Sequence, residues 1–194
     1  SRSGGSEGPQ QVPGWVLSAN ELIERVLLLV RINAIWWILT LLGAVVLGLA
    51  PATAAAAEAG YPGHRNHPFP DCFVCGPARE PGDGLRIFAG PVPEADRVAA
   101  TWTPYEANVP VTWAALDCPG GWASDLEGRP AVLGRITVEV HRLPEVGAQH
   151  VVVGEERLIE GRKTLTASTL YGPDGDVVAA SEHVWIAVDP AAFR

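Results

Sequence analysis

Four long segments in the C-terminal half alternate apolar and polar residues, and short, sharply marked turns separate them. The candidate strands are residues 132–142, 148–160, 162–171 and 177–188. A period of two is typical of β-strands, and the turns between them are rich in Gly, Pro and Asp. Parallel neighbours need crossover connections of about a dozen residues or more. Because these connections are shorter, the four strands are predicted to form an antiparallel sheet.

Two further strand candidates and one helix candidate precede those four strands. Residues 84–88 and 97–103 have strand-like patterns, and residues 111–127 are the one helical candidate of this half. The run Pro119–Gly120–Gly121 is expected to kink or restart that helix. Two strands, one helix and four strands predict an α+β domain of five or six antiparallel strands with the helix packed on one face of the sheet.

The N-terminal part of the chain has a different character. Residues 34–57 contain no charged side chain, and roughly 20 apolar residues are enough to cross a bilayer as a helix. Residues 20–57 are therefore predicted to be an apolar, transmembrane helix that follows a disordered tail over residues 1–19. A signal segment and a buried helix of a soluble domain are the alternatives. The signal segment fits less well because its apolar region usually has only about 7–15 residues.

A Pro-rich segment, residues 58–82, is predicted to link that helix to a sheet domain at 83–194. It contains four zinc-capable side chains, His64, His67, Cys72 and Cys75. Their number suits a tetrahedral site, but the spacing is not that of a standard zinc motif. Reduced structural cysteines and a redox pair are the other interpretations, and the redox pair lacks the βαβ context that it would need. The sequence therefore leads us to assign no metal and no cofactor.

Charge and cysteine content exclude several classes of protein. With 14 Lys+Arg against 22 Asp+Glu, the net charge is −8, so a nucleic-acid partner is not expected. Three cysteines cannot close a disulfide framework of the kind that stabilises small secreted scaffolds. No Gly-x-Ser-x-Gly sequence lies between a predicted strand and a predicted helix, which argues against a Ser-His-Asp hydrolase.

Residues 83–188 resemble a hot-dog-fold domain, in which a curved antiparallel sheet wraps around one central helix. Residues 161–164 and 174–180, with the strand between them, are similar to the closing hairpins of acyl-CoA thioesterases of this fold. Residues 67–77 and 113–121 resemble an uncharacterised actinobacterial branch of thioesterase-like proteins. The resemblance implies an acyl-CoA-type small-molecule substrate and a homo-oligomer.

A second, shorter resemblance concerns the end of the apolar segment. Residues 48–54, Gly-Leu-Ala-Pro-Ala-Thr-Ala, resemble the end of the first membrane helix in a family of small bacterial membrane proteins. This resemblance implies a membrane-protein beginning that is joined to an unrelated domain.

Asp117 is the candidate catalytic residue. Thioester hydrolysis needs a carboxylate that attacks or activates water, and donors for the developing oxyanion. Asp117 has apolar neighbours in the predicted helix, where partial desolvation would make it more basic. Resemblance to phenylacetate-pathway thioesterases implies the same residue, which follows a His-Gly-Gly stretch by about two helical turns. That stretch is replaced here by residues 108–110. Because Pro110 has no N–H, the amides of Val111 and Thr112 are the candidate oxyanion donors.

Each of these assignments has an alternative. Asp117 could instead cap a helical turn that restarts at Cys118. Asp125 is the second candidate carboxylate, unless it is only a solvated acid at the helix end. Gly120 and Gly121 are candidates for contact with a pantetheine chain, but their missing side chains could equally admit a neighbouring strand.

The sequence thus predicts an acyl-CoA thioesterase-like hydrolase with Asp117 as base or nucleophile. The alternatives are a non-catalytic acyl- or CoA-binding module, favoured by the missing His-Gly-Gly stretch, and a membrane-tethered interaction domain. Because CoA esters are cytoplasmic metabolites, the sheet domain is expected in the cytoplasm, held at the membrane by residues 34–57. Arg25 and Arg31, before the apolar run, favour the opposite orientation.

Overall fold

The computed structural model describes residues 50–189 and residue 191. The predicted tail at 1–19 and the predicted membrane helix up to residue 49 lie outside the described residues. Within the described part of the chain, no helix is both long enough and apolar enough to cross a membrane.

One antiparallel sheet and two α-helices make up the regular structure of residues 50–189. In chain order the elements are α1 (Pro51–Glu58), a 3-10 turn (Pro62–His64), β1 (Gly90–Pro91), β2 (Arg97–Trp102), α2 (Val109–Trp122), β3 (Ala131–Val140), β4 (His150–Glu160), β5 (Lys163–Tyr171) and β6 (Val177–Ala187). The strands pair antiparallel in the order β1-β2-β4-β5-β6-β3. This arrangement confirms the predicted antiparallel sheet with one central helix.

Helix α2 is continuous from Val109 to Trp122, so the predicted alternative of a restart at Pro119 is wrong. The predicted C-terminal end at residue 127 is also wrong. A proline inside a helix costs about 3 kcal/mol and a glycine about 1 kcal/mol, but here Pro119, Gly120 and Gly121 are all buried against the sheet. Packing of the helix on the strands outweighs the low intrinsic propensity of these three residues.

Glycine residues, which have no side chain, set how closely α2 lies on the sheet. A Cβ atom at Gly154 of β4 would lie 2.2 Å from the carbonyl oxygen of Pro119, and one at Gly121 would lie 2.9 Å from the ring of Trp185. Leu116 of α2 and Val152 of β4 are fully buried in the resulting core. The helix backbone therefore contacts strand backbone directly, which fixes the position of every side chain on α2.

Helix α1 packs on the other face of the sheet. Ala54 and Ala57 are buried with Ala99 and Val153, whereas neighbouring strand residues such as Val152 face α2. Successive side chains of a strand point to opposite faces, so the two helices cover opposite sides. Residues 51–57, predicted as the end of a membrane helix, are instead a short helix of the folded domain. Small alanine side chains suit both environments, which is why composition did not separate them.

The segment between α1 and β1 is folded onto the α2 side of the sheet. Tyr61, Val74 and Ile87 are buried in the same core as α2. The N–H of Ile87 donates to the carbonyl of Val74 (N···O 2.8 Å), and that of Leu85 donates to the carbonyl of Phe73 (2.8 Å). The strand predicted at 84–88 is therefore absent from the sheet, because its backbone pairs with the 73–74 turn. Much of the segment predicted as a linker contributes to the core.

Candidate functional site

Asp117 lies well inside α2 and is mostly buried. Because the helix begins at Val109, with Asn108 as its N-cap, the alternative of Asp117 as an N-cap is wrong. Among the described residues, Asp117 Oδ1 is the only carboxylate oxygen that is buried without a hydrogen-bond partner. Burial, with a smaller contribution from the neighbouring Cys72, raises the pKa of Asp117 to about 6. Buried polar atoms are nearly always paired, so an unpaired carboxylate on the central helix points to a functional role.

The amides predicted as oxyanion donors are already paired in the structure. The Val111 N–H donates to Asn108 Oδ1 (N···O 2.8 Å), and the Thr112 N–H donates to the Asn108 carbonyl (3.0 Å). Asn108 before Pro110 is a strong helix-start signal, since proline suits the first helical turn. Neither Val111 nor Thr112 therefore presents a free donor unless the cap opens.

Gly120 and Gly121 serve helix packing. A Cβ at Gly120 would lie 2.4 Å from Nδ1 of His183, and one at Gly121 would touch the Trp185 ring. Both glycines are buried against strands, which is the alternative that the sequence left open for them.

Asp125, the second candidate carboxylate, lies at the surface after α2. Its side chain is exposed, and its Oδ1 accepts a hydrogen bond from the Gly128 N–H (N···O 2.8 Å). An exposed acid that closes a turn lacks the desolvation that distinguishes Asp117.

His183 of β6 connects the helix to the sheet. It is buried, with Nε2 3.1 Å from the Leu116 carbonyl oxygen and Nδ1 3.2 Å from Thr166 Oγ1. Burial lowers its pKa, partly offset by the Leu116 and Thr166 hydrogen bonds. A neutral histidine held on both nitrogens is a packing residue that positions α2.

A cavity of about 500 Å³ opens beside the C-terminal half of α2. Its walls include Phe69, Cys118, Trp122, Val132 and Trp185. The volume is within the usual range of small-molecule sites. Asp117 is not among its lining residues, but the next residue, Cys118, is.

Three cysteines meet between α2 and the segment that precedes β1. Cys72 Sγ lies 3.6 Å from Cys118 Sγ and 3.6 Å from Cys75 Sγ. Hydrogen bonds from Cys118 and Cys75 lower the pKa of the Cys72 thiol, and the same contacts, with burial, raise that of Cys118 well above its usual value. The sequence singled out Cys72 and Cys75 as possible ligands. It gave no local signal for Cys118, which only the fold brings to them.

The two histidines that the sequence grouped with these cysteines separate in the structure. His67 Nε2 lies 3.3 Å from Cys75 Sγ, whereas His64 packs edge-on against the rings of Tyr61 and Phe88. Of the four side chains considered for zinc, three stay together, and Cys118 takes the place of His64.

Comparisons with known proteins give partial structural likenesses. No family model and no curated protein matches the chain. A Streptococcus mutans UA159 protein bound to acetyl-CoA has 14% identity and a TM-score of 0.46, and the match covers 49% of this chain and 83% of that one. The E. coli PaaI protein, from the phenylacetic acid degradation operon, has 13% identity and a TM-score of 0.45, with 48% and 75% covered. An uncharacterised Pyrococcus horikoshii protein has 16% identity and a TM-score of 0.47, with 56% and 90% covered.

Proposed function

We propose that this chain is an acyl-CoA thioesterase-like hydrolase in which Asp117 is the catalytic carboxylate. The observation that carries the proposal is the buried, unpaired Oδ1 of Asp117 on the central helix of the sheet. A base works best when its pKa lies near the working pH, and burial brings the pKa of Asp117 to about 6. The sequence resemblance to hot-dog thioesterases names the same residue.

The proposed reaction is hydrolysis of the thioester bond. As general base, the Asp117 carboxylate takes a proton from water while the water oxygen bonds to the thioester carbonyl carbon. The C–S bond then breaks, and the leaving CoA sulfur takes the proton from Asp117, so the products are a carboxylic acid and CoA. As nucleophile, the Asp117 carboxylate would itself form the new C–O bond to the carbonyl carbon while the C–S bond breaks, and CoA would leave as a thiolate that takes a proton from water. A second water would then hydrolyse the resulting anhydride, which releases the carboxylic acid and restores Asp117.

One observation favours a second candidate, a non-catalytic module that binds acyl-CoA. Pro110 has no N–H, and the amides of Val111 and Thr112 are engaged in the helix cap. An enzyme of this class needs oxyanion donors, whereas a binding module does not. Saturable binding of CoA esters without turnover would support this alternative.

The test is a panel of acyl-CoA esters with short, medium, long and aromatic acyl groups. The decrease in absorbance of the thioester bond is followed over time. The enzyme concentration is kept far below that of the substrate, so that reaction of the native cysteines with the substrate does not contribute to the signal. We expect Asp117→Asn to lower kcat/KM by about 100-fold or more, the usual contribution of a general base. Asp125→Asn is the matched control, because it removes an exposed carboxylate from the same part of the chain, and it should keep the wild-type rate. Equal activity of wild type and Asp117→Asn would contradict the proposal.

We also propose that two copies of the chain associate through β3. Among the described residues this strand is at the edge of the sheet, and six of its residues are only partly exposed, on both faces. An unpaired strand edge is a template for a second chain. A mass of one chain in light scattering at micromolar concentration would contradict the association.

Attachment to the membrane through the part of the uncharged run that precedes α1, with the sheet domain in the cytoplasm, is a further part of the proposal. It is supported by the uncharged run in the sequence and by the cytoplasmic location of CoA esters. Release of the full chain from bacterial membranes by alkaline carbonate would contradict the anchor. Cleavage of the sheet domain by protease added to intact spheroplasts would contradict its cytoplasmic position.

A further inference from the structure

We propose that Cys72, Cys75, Cys118 and His67 bind one Zn²⁺ ion, which attaches the turn at residues 72–76 to the central helix. This site is independent of the proposed hydrolase activity, because it is argued from the ligand atoms alone.

The three sulfur atoms already have the spacing of zinc ligands. In a tetrahedral site with Zn–S bonds of about 2.3 Å, neighbouring sulfurs lie about 3.8 Å apart. Cys72 Sγ is 3.6 Å from each of the other two sulfurs, and all three lie within 4.8 Å of one another. A disulfide would need an S–S distance of about 2.05 Å, and all three cysteines are free.

His67 supplies the fourth ligand atom. Its Nε2 is 3.3 Å from Cys75 Sγ, close to the roughly 3.6 Å that bond lengths of about 2.3 Å and 2.0–2.1 Å give in a tetrahedral site. At present His67 Nδ1 accepts a hydrogen bond from the Phe69 N–H (N···N 2.9 Å). Zinc binding through Nε2 moves the ring proton to Nδ1, so this hydrogen bond must break. The ring also moves toward Cys72 and Cys118, and its partial exposure allows that movement.

The turn that carries Cys72 and Cys75 is shaped for sulfur coordination. The Gly76 N–H donates to the Cys72 carbonyl (N···O 2.9 Å). A Cβ at Gly76 would lie 2.4 Å from the Pro70 carbonyl oxygen and 2.5 Å from the Cys72 nitrogen. Only glycine therefore fits this position of the Cys-x-x-Cys-Gly turn.

A hydrogen-bond donor contacts one of the sulfurs, as expected around metal-bound thiolates. The indole Nε1–H of Trp122 donates to Cys75 Sγ (N···S 3.4 Å). Such donors stabilise negative charge on sulfur, and the thiolate is the form that binds metal. Partners of this kind are typical of the shell around metal ligands.

A zinc ion here would connect two parts of the domain that share no strand pairing. Residues 59–89 contain only one short 3-10 turn as regular structure, whereas Cys118 belongs to α2. Structural zinc contributes directly to the folding free energy of such irregular segments. The ion would thus hold this segment against the helix.

The test starts from the full chain, produced with added Zn²⁺ and purified without chelator. We expect one zinc per chain by mass spectrometry of the metal content, and almost none in Cys118→Ser. His67→Ala should weaken zinc binding at least 10-fold in competition with a chelator. His64→Ala is the matched control, since that ring packs on Tyr61 and Phe88, and it should bind zinc as the wild type does.

X-ray absorption on the wild-type chain provides a readout that does not depend on any variant folding. We expect three sulfur ligands at about 2.3 Å and one nitrogen ligand at about 2.0–2.1 Å. Co²⁺ in place of zinc should show thiolate charge-transfer bands and tetrahedral d–d bands. Zinc-free wild-type protein with three freely titrating thiols, a Cys72–Cys75 disulfide, or full zinc content in folded Cys118→Ser would each overturn the proposal.

Discussion

Gly154→Ala tests whether the missing side chain at this position fixes the depth of α2 on the sheet. The added Cβ would lie 2.2 Å from the Pro119 carbonyl oxygen and 2.7 Å from its carbonyl carbon. Ordinary contacts of this kind begin at 3.4 Å. Both atoms belong to buried helix backbone, so a side-chain rotation cannot relieve the overlap. The helix must move away from β4 by about 1 Å, in the range over which core overpacking disrupts structure.

The expected cost follows from this displacement. Overpacking a core costs about 1–3 kcal/mol, and the upper end applies here because the clash is with backbone. At about 3 °C per kcal/mol for a domain of this size, the melting temperature should fall by about 9 °C. Differential scanning calorimetry of wild type and variant measures the change. Because Pro119 follows Asp117 and Cys118, thioester turnover and zinc content should fall together with stability.

Gly128→Ala provides the control for this experiment. The three atoms nearest to its Cβ would all belong to the carboxylate of Asp125 in an exposed turn. That carboxylate can rotate away at the cost of one exposed hydrogen bond from the Gly128 N–H. We expect a melting temperature within about 2 °C of wild type, the usual size of surface effects. If Gly154→Ala melted as close to wild type as Gly128→Ala, direct backbone contact would not be what positions α2.

Two further predictions concern how the elements are held together. Glu58 Oε1 accepts hydrogen bonds from the N–H and the hydroxyl of Thr101, both at 2.6 Å. Glu58→Ala should therefore lower the free energy of unfolding by about 2 kcal/mol. Glu80→Ala, in an exposed loop, is the control and should not change the melting temperature. Burial lowers the pKa of His183 below its usual value of 6.5. Below pH 6.5 the unfolded chain therefore binds a proton that the folded chain does not. Stability falls with decreasing pH until the pKa of His183 in the folded state is reached. Melting temperatures from pH 7.5 to 5.5 should therefore fall less steeply for His183→Gln than for wild type, and equal slopes would contradict the prediction.

The sequence predicted the sheet well because its signals, the alternation of apolar and polar residues and the turn residues, each lie within a few consecutive positions. Strands β3 to β6 follow the alternating segments to within about two residues, the usual uncertainty of strand ends. The turn at residues 173–175 gives the hairpin before β6 a clear boundary. The segment at 84–88 was wrongly predicted as a strand because the same alternation also suits backbone that pairs with a turn. Only the fold shows that its partners are Phe73 and Val74.

The helix start was a signal within reach of the sequence. Asn108 two residues before Pro110 is the pattern of an N-cap with proline in the first turn. This pattern predicts that the amides of Val111 and Thr112 belong to the helix cap, as the structure has them. The burial of Gly120 and Gly121 against His183 and Trp185 depends on strand pairing far along the chain, and no local rule could supply it.

The chemistry of α2 depends on the angular spacing of consecutive residues. Neighbours on a helix point about 100° apart, so Asp117 and Cys118 face different surroundings although they are adjacent in sequence. Cys118 faces the sulfur cluster and the cavity, whereas Asp117 lies outside the cavity lining and keeps an unpaired oxygen. The sequence pointed to Asp117 because a lone acid in an apolar helix is conspicuous. It could not point to Cys118, because the partners of that thiol lie in a segment whose folded position depends on the whole sheet.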